Sequence, residues 1–110
     1  MLSPIAGAIE QYMSLLSSRQ KLVASNIANA DTPGYQTKDI DFQSAFKGAL
    51  DGFTPQTVEV DGLTNKSDGN NVSLDREARL LAENALRFNV ASNLMRSELR
   101  MTRAAITESK

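Results

Sequence analysis

The chain of 110 residues contains no cysteine and no histidine. The first absence removes disulfides, thiolate metal sites and cysteine nucleophiles together. The second removes the side chain that carries most acid–base and zinc chemistry near neutral pH, leaving an enzyme only carboxylates, lysine, tyrosine or hydroxyls. Tryptophan is missing too, and two Tyr and four Phe bring the aromatic content to only 5%. A bulky central core is thereby disfavoured, and long elements are favoured over a ball. No stretch approaches the roughly 20 apolar residues that span a bilayer. The opening MLSPIAGAIEQYMSLLSSRQ lacks the basic start and compact apolar run of a secretory signal, with Glu10 and Gln11 interrupting it. The expectation is export, if any, by a route that cleaves no such signal.

A formal net charge of -1 lacks the basic excess of a general binder of nucleic acid or anionic membrane. The charge is unevenly spread: residues 31–75 carry three lysines against eight acids, and residues 76–110 seven bases against four acids. With 41% apolar residues the length suits one domain over 1–110. Its parts read as a helix over 3–30, a turn, short helix and flexible connector over 31–72, and a helix over 73–106.

In the first helix, Ile5, Ile9, Tyr12, Leu16, Val23 and Ile27 recur at helical spacing, widened by Ala8, Leu15 and Leu22. Ser3 can cap it, and Pro4 fits the first helical position, where its missing N–H costs nothing. In the last helix, alternate steps of four and three run through Leu74, Ala78, Leu81, Ala85, Phe88, Ser92, Met95, Leu99, Thr102 and Ile106, a heptad pattern. Ser73 can cap this helix, Asp75 and Glu77 suit the positive end of its dipole, and Arg100 and Arg103 the negative end. Arg79, Glu83 and Arg87 read as a solvated face. The fold class is therefore all-α: two long terminal helices packing as an antiparallel, coiled-coil-like hairpin. Ile5, Ile9, Leu16, Val23 and Ile27 are expected to face Leu81, Phe88, Met95, Leu99 and Ile106.

Thr32-Pro33-Gly34-Tyr35 predicts a type II turn, with Pro presetting the first central φ and Gly supplying a positive one at the second. Thr32, before proline, must leave the helical region, so the first helix ends by about Asp31. DIDFQSAFKGAL gathers Phe42, Ala45, Phe46, Ala49 and Leu50 on one face behind a possible Asp41 cap, a short helix laid on the hairpin. Beyond it, Asp-Gly pairs punctuate a polar stretch in which only Thr57 to Val60 has strand character.

Candidate chemistry is sparse. Asn65-Lys66-Ser67 and Asn71-Val72-Ser73 match the glycosylation pattern, which is short enough to arise by chance. Asp68, Asn70 and Asn71 lack the alternating ligands and terminal glutamate of a calcium loop. Asp39 and Asp41 are explained by a turn and a cap. Asn26 and Asn29, one turn apart near the end of the first helix, are read as structural: a polar seam position that can fix register, and a donor to the terminal carbonyls. No catalytic, cofactor-binding or metal-ligating residue is assigned, no cofactor is expected, and the chain is not read as an enzyme. Two helices in one hairpin cover only one side of each other, so stripes this long leave surfaces for neighbouring subunits.

The segment ASNIANADTPGYQTKDIDFQSAF, residues 24–46, resembles the N-terminal signature of the flagellar basal-body rod and axial proteins. Thr-Pro-Gly-Tyr followed by Asp-Ile-Asp-Phe is most like the proximal rod members of the B type. The motif positions are Ser25, Asn26, Ile27, Ala28, Asn29, Asp31, Thr32, Pro33, Gly34, Tyr35, Asp39, Asp41 and Phe42. DGNNVSLDREARLLAENALRFNVASNLMRSELRMTRAAI, residues 68–106, resembles the matching C-terminal end, while the region between Leu50 and Asp68 is shorter than in many members. The resemblance implies a structural subunit of the bacterial flagellum, exported by the flagellar type III apparatus and polymerised into a torque-transmitting rod across the periplasm. Its implied partners are other rod subunits, the membrane-embedded ring, the rod-base adaptor and the export apparatus, with neither nucleic acid nor a small-molecule substrate among them. A rival reading is a small helical adaptor or export chaperone that binds a partner helix.

Overall fold

The computed structural model describes residues 3–108; the ends of the 1–110 domain reading lie outside the described residues. Helix α1 spans Pro4–Ala28. It starts where expected: Ser3 holds an extended backbone and its Oγ accepts from the Ala6 N–H at 3.0 Å, with Pro4 in the first turn. It ends on Asn29, whose backbone N–H and Nδ2 both donate to Ser25 O, at 3.0 and 2.9 Å. Gly34 then takes φ +75° and the Tyr35 N–H reaches Thr32 O at 3.2 Å, the geometry of the type II turn.

The connector is more regular than its composition suggests. Strand β1, Lys38–Ile40, pairs antiparallel with β2, Thr57–Glu59, in the register Asp39 opposite Val58. Sequence reading placed strand character only in the second. Lys-Asp-Ile is short and two-thirds charged, and the partner that makes it a strand lies 19 residues away, from Asp39 to Val58. Helix α2, Phe42–Leu50, is capped by Asp41, which accepts from the Ser44 N–H. It lies on α1 through Phe42 and Phe46, both edge-on to Tyr12 with ring centroids 5.3 and 5.6 Å away.

Helix α3, Leu74–Glu108, has 35 residues and a length of roughly 52 Å. It packs antiparallel on α1, giving a particle of 68 × 25 × 18 Å. Four hydrogen bonds between described residues tie α3 to α1 and its cap in this register: Asn26 to Glu77, Asn84 to Gln20 at 3.2 Å, Arg87 to the Tyr12 hydroxyl at 3.2 Å, and Ser3 to Glu98 at 3.1 Å. With Ser3 level with Glu98, the last ten described residues of α3 project beyond the start of α1 by roughly 15 Å.

The buried seam differs from the expected one. On α1 it comprises Ala6, Leu15, Leu16, Val23 and Asn26; on α3, Glu77, Leu80, Asn84 and Ala91. Leu16 and Val23 are inside as expected, and Ile9, Leu81 and Met95 are half-buried, but Ile5, Ile27, Phe88, Leu99 and Ile106 are exposed. One of the two heptad rows has moved one residue round α3, from Ala78, Ala85, Ser92 and Leu99 to Glu77, Asn84, Ala91 and Glu98. The cause is hydrogen bonding: each polar member of the new row finds a partner on α1, so polarity no longer forces it outward.

Candidate functional site

Two features of the hairpin stand out, a buried polar junction at its connected end and two grooves along its flanks, one of mixed lining and one almost wholly apolar. The junction is built around Asn26, which is fully buried and uses all four of its hydrogen-bonding positions. Its Nδ2 donates to Lys38 O at 2.8 Å and to Glu77 Oε1; its Oδ1 accepts from the Tyr35 hydroxyl at 2.8 Å and the Lys38 N–H at 3.1 Å. One side chain thus ties together α1, the turn, β1 and α3.

Charge is handled beside it. Arg19 makes a two-pronged contact with Asp39, from Nε to Oδ1 at 3.0 Å and from Nη2 to Oδ2 at 2.9 Å. Arg76 donates to Asp39 Oδ2 at 2.6 Å and to both oxygens of Glu77 at 3.1 and 3.0 Å. Burial alone would raise the Asp39 pKa; hydrogen bonds from Arg19 and the Ile40 N–H, the Arg19 charge and Arg76 overcome it and hold the carboxyl below its ordinary value. Two guanidinium groups and two carboxylates so close cancel locally, and the set is a structural clamp with no free base or nucleophile.

A second cluster closes the connector onto the turn. Asn70, fully buried, donates through Nδ2 to Asn29 O at 2.9 Å and Thr32 O at 2.8 Å, while its Oδ1 accepts from the Val72 N–H at 2.9 Å. Asn71 Oδ1 accepts from the Thr37 N–H and hydroxyl at 2.6 and 2.8 Å, and its Nδ2 donates to Gln36 Oε1 at 2.9 Å. The Gly34 N–H donates to Asp68 O at 2.9 Å. Gly69 lies against Gly34, where an added Cβ would stand 3.4 Å from Gly34 Cα in ordinary contact, so it is the positive φ of +75° and +86°, not lack of space, that favours glycine at both positions. Asp68 and Asn70 thus bind backbone, and Asn71 binds the Thr37 backbone and hydroxyl together with the Gln36 side chain.

The motif positions are distributed over these roles. Asn26, Tyr35 and Asp39 join the junction; Asn29, Thr32 and Gly34 meet the second cluster; Asp41 and Phe42 start α2. Ser25, through its carbonyl, receives Asn29, whereas Ile27, Ala28, Asp31 and Pro33 are exposed. Sequence reasoning did not single out Arg19, Thr37, Arg76 and Glu77 as one constellation. Its available signal was the heptad row Glu77, Asn84, Ala91 and Glu98, polar at all positions but Ala91 and parallel to the apolar one.

The grooves flank the seam. One, of about 440 Å³, is lined by Leu16, Gln20, Lys21, Leu81, Asn84 and Phe88 among others. The other, of about 490 Å³, is almost wholly apolar, with Ile5, Ile9, Tyr12 and Phe46 on one wall and Leu86, Val90 and Leu94 on the opposite one. Leu86 is 66% exposed and Ile5 60%. Among the described residues no helix is long and apolar enough to cross a membrane, and no group of acids could hold a metal ion.

Comparison with known proteins places this arrangement in context. A family model described as Flagella basal body rod protein matches residues 13–36, which run from mid-α1 through the turn. The chain is similar to the flagellar basal body rod protein FlgB of Escherichia coli (strain K12), 30% identical over an alignment 116 positions long, gaps included, that takes in 83% of this chain and 84% of that protein. It is 32% identical over 117 residues to FlgB of Salmonella typhimurium, covering 83% and 84%. FlgB of Aeromonas hydrophila is 32% identical over 114 residues, covering 86% of each chain.

Proposed function

Because the chain belongs to the FlgB family of flagellar basal body rod proteins, we propose that this structural rod subunit acts in the proximal rod, where its unfilled helix faces pack against neighbouring subunits. The observation that carries the reading is the pair of grooves left open on either side of the hairpin, one almost wholly apolar and one of mixed lining with Leu81 and Phe88 in it. Rigid helices locked at one end and unfinished along both flanks suit a part that transmits torque between neighbours. Residues 1–110 act as one rod-type unit in this reading. Its partners are other rod subunits, the membrane-embedded ring and the rod-base adaptor; the chain reaches the periplasmic rod through the flagellar export apparatus, without cleavage of a signal. Ile5, Ile27, Phe88, Leu99 and Ile106 then serve assembly, and Leu16 and Val23 the hairpin itself.

The test separates folding from assembly. Phe88, 41% exposed, and Leu81 line the same groove. Phe88→Asp is expected to be made, to retain its helicity, and to leave basal bodies without a completed rod when they are imaged in cells. Deletion of the gene should give the same images. Normal rods in cells carrying Phe88→Asp and Leu81→Asp together would overturn the assignment of this groove.

A further inference from the structure

Three aspartates of the chain are followed by glycine, in the pairs Asp51-Gly52, Asp61-Gly62 and Asp68-Gly69. With no side chain on the second residue, such a pair is the least hindered place for a backbone nitrogen to reach the preceding carboxyl, provided the chain can rotate into that geometry. The fold treats the three pairs differently. At the end of α2, the N–H groups of Asp51, Gly52 and Phe53 donate in succession to Gly48 O, Ala49 O and Gly48 O, at 3.1, 3.1 and 2.8 Å. At the second cluster, the Gly69 N–H donates to Lys66 O at 2.9 Å, and the Asp68 carboxyl accepts from the Asn70 N–H at 3.0 Å. Nitrogen and carboxyl of that pair are both engaged elsewhere. Asp61 and Gly62 are both exposed, and residues 61–65 make no hydrogen bond among the described residues. Their stretch is hydrogen-bonded only at its ends, where the Val60 N–H donates to Thr37 O at 3.0 Å and the Lys66 N–H to Asn70 O at 2.8 Å.

We propose that Asp61-Gly62 is a self-modification site, the pair among the three that the folded chain leaves open to isoaspartate formation. The reaction needs no reagent beyond water. The Gly62 nitrogen forms a bond to Asp61 Cγ and gives up its proton, while the protonated carboxyl gives up its hydroxyl; one water departs and a five-membered succinimide remains. Water then adds back. Entry at the Asp61 backbone carbonyl breaks the bond from that carbon to the Gly62 nitrogen, so the chain runs through Cγ and the former carbonyl carbon becomes the free carboxylate. Entry at Cγ restores aspartate. The net change is an isomerisation without change of mass, which adds one carbon atom to the backbone. For the attack the glycine nitrogen must turn onto Cγ, and an N–H held by a carbonyl must first break that bond. Gly52 and Gly69 carry this restraint and Gly62 does not. The added carbon falls in a stretch whose ends are already held, so the strand pair and the hairpin stay as they are.

The test incubates the folded full chain, and the same chain in guanidinium chloride, for several weeks in warm neutral buffer. Brief digestion and electron-transfer mass spectrometry, which cleaves the backbone differently at the extra carbon, then give the rate of isoaspartate formation at each pair. In guanidinium chloride the three pairs are expected to convert at similar rates. In the folded chain Asp61 is expected to keep its unfolded rate, while Asp51 and Asp68 slow at least tenfold. Separated by chromatography, the isoaspartate form is expected to melt with the parent in circular dichroism. The proposal is overturned if Asp51 or Asp68 keeps pace with Asp61 in the folded chain, if folding slows Asp61 tenfold as well, or if the isoaspartate form melts lower than the parent. None of these readouts involves neighbouring subunits, so failure of the rod reading would leave the result intact.

Discussion

The connected end of the hairpin and its flanks are built on opposite principles. At the connected end Asn26, Asn70, Thr37 and Glu77 are fully buried and each is hydrogen-bonded to groups far away in sequence. Along the flanks Ile5, Leu86, Val90 and Leu94 stand exposed around grooves with few polar atoms. The first region is finished within one chain; the second is completed only by something outside it. Polar networks specify geometry because they tolerate few arrangements, whereas apolar faces supply association with little demand on direction. The chain thus keeps its precision for its own fold and its adhesiveness for others.

This contrast can be broken most severely at Asp39. Asp39→Ala leaves two half-buried guanidinium groups without their shared, buried acceptor, and a loss of about 3 kcal/mol is expected in urea unfolding. The same carboxyl gives a pH signature. Its pKa is lower folded than unfolded, so its contribution is fully present above the ordinary value of 3.8 and is lost as pH falls through the lower folded value. Acid unfolding curves of the parent should carry this component below pH 3.8, and those of Asp39→Asn should lack it.

Next in size is Asn70→Ala, which takes one of two donors from each of the Asn29 and Thr32 carbonyls and leaves the buried Val72 N–H without the Asn70 acceptor; about 2 kcal/mol should be lost, with faster amide exchange in residues 66–72. Gly34→Ala must hold an L-residue at φ +75° and should cost about 1 kcal/mol, read as a lower urea midpoint with unchanged slope. Smallest for the fold is Leu86→Asp on the open flank, expected within about 0.5 kcal/mol of the parent, while rod formation in cells is lost. A large stability loss from Leu86→Asp would erase the distinction between the two regions.

Much of the frame was legible from local chemistry. Ser3-Pro4, Asp41 and Thr32-Pro33-Gly34-Tyr35 act over three or four residues, so their caps and turn follow from residue type alone. The long helices followed from periodicity. The seam did not, because periodicity assigns polar residues outward, and the partners that bring Glu77 and Asn84 inward are 51 and 64 residues away. Arg19, Asp39 and Arg76 were hidden for the same reason: each alone reads as a surface charge, and only the fold brings them together. Asn26 was the exception. Its polarity inside an apolar stripe marked it, although the residue it meets was not apparent.

The meeting of Gly34 with Asp68 and Gly69 has a consequence for how such chains can vary in length. The segment between them leaves and rejoins the hairpin at a single closed gate, so its contour length is decoupled from the spacing of the helices. Residues added between Val60 and Lys66 would enlarge a loop whose two ends are already held together, at an entropic cost that grows only slowly with length. The stretch between Val60 and Lys66 is a replaceable insert: a bulkier one could be carried outward, or this small one kept, with the strand pair and the helical frame unchanged beneath it.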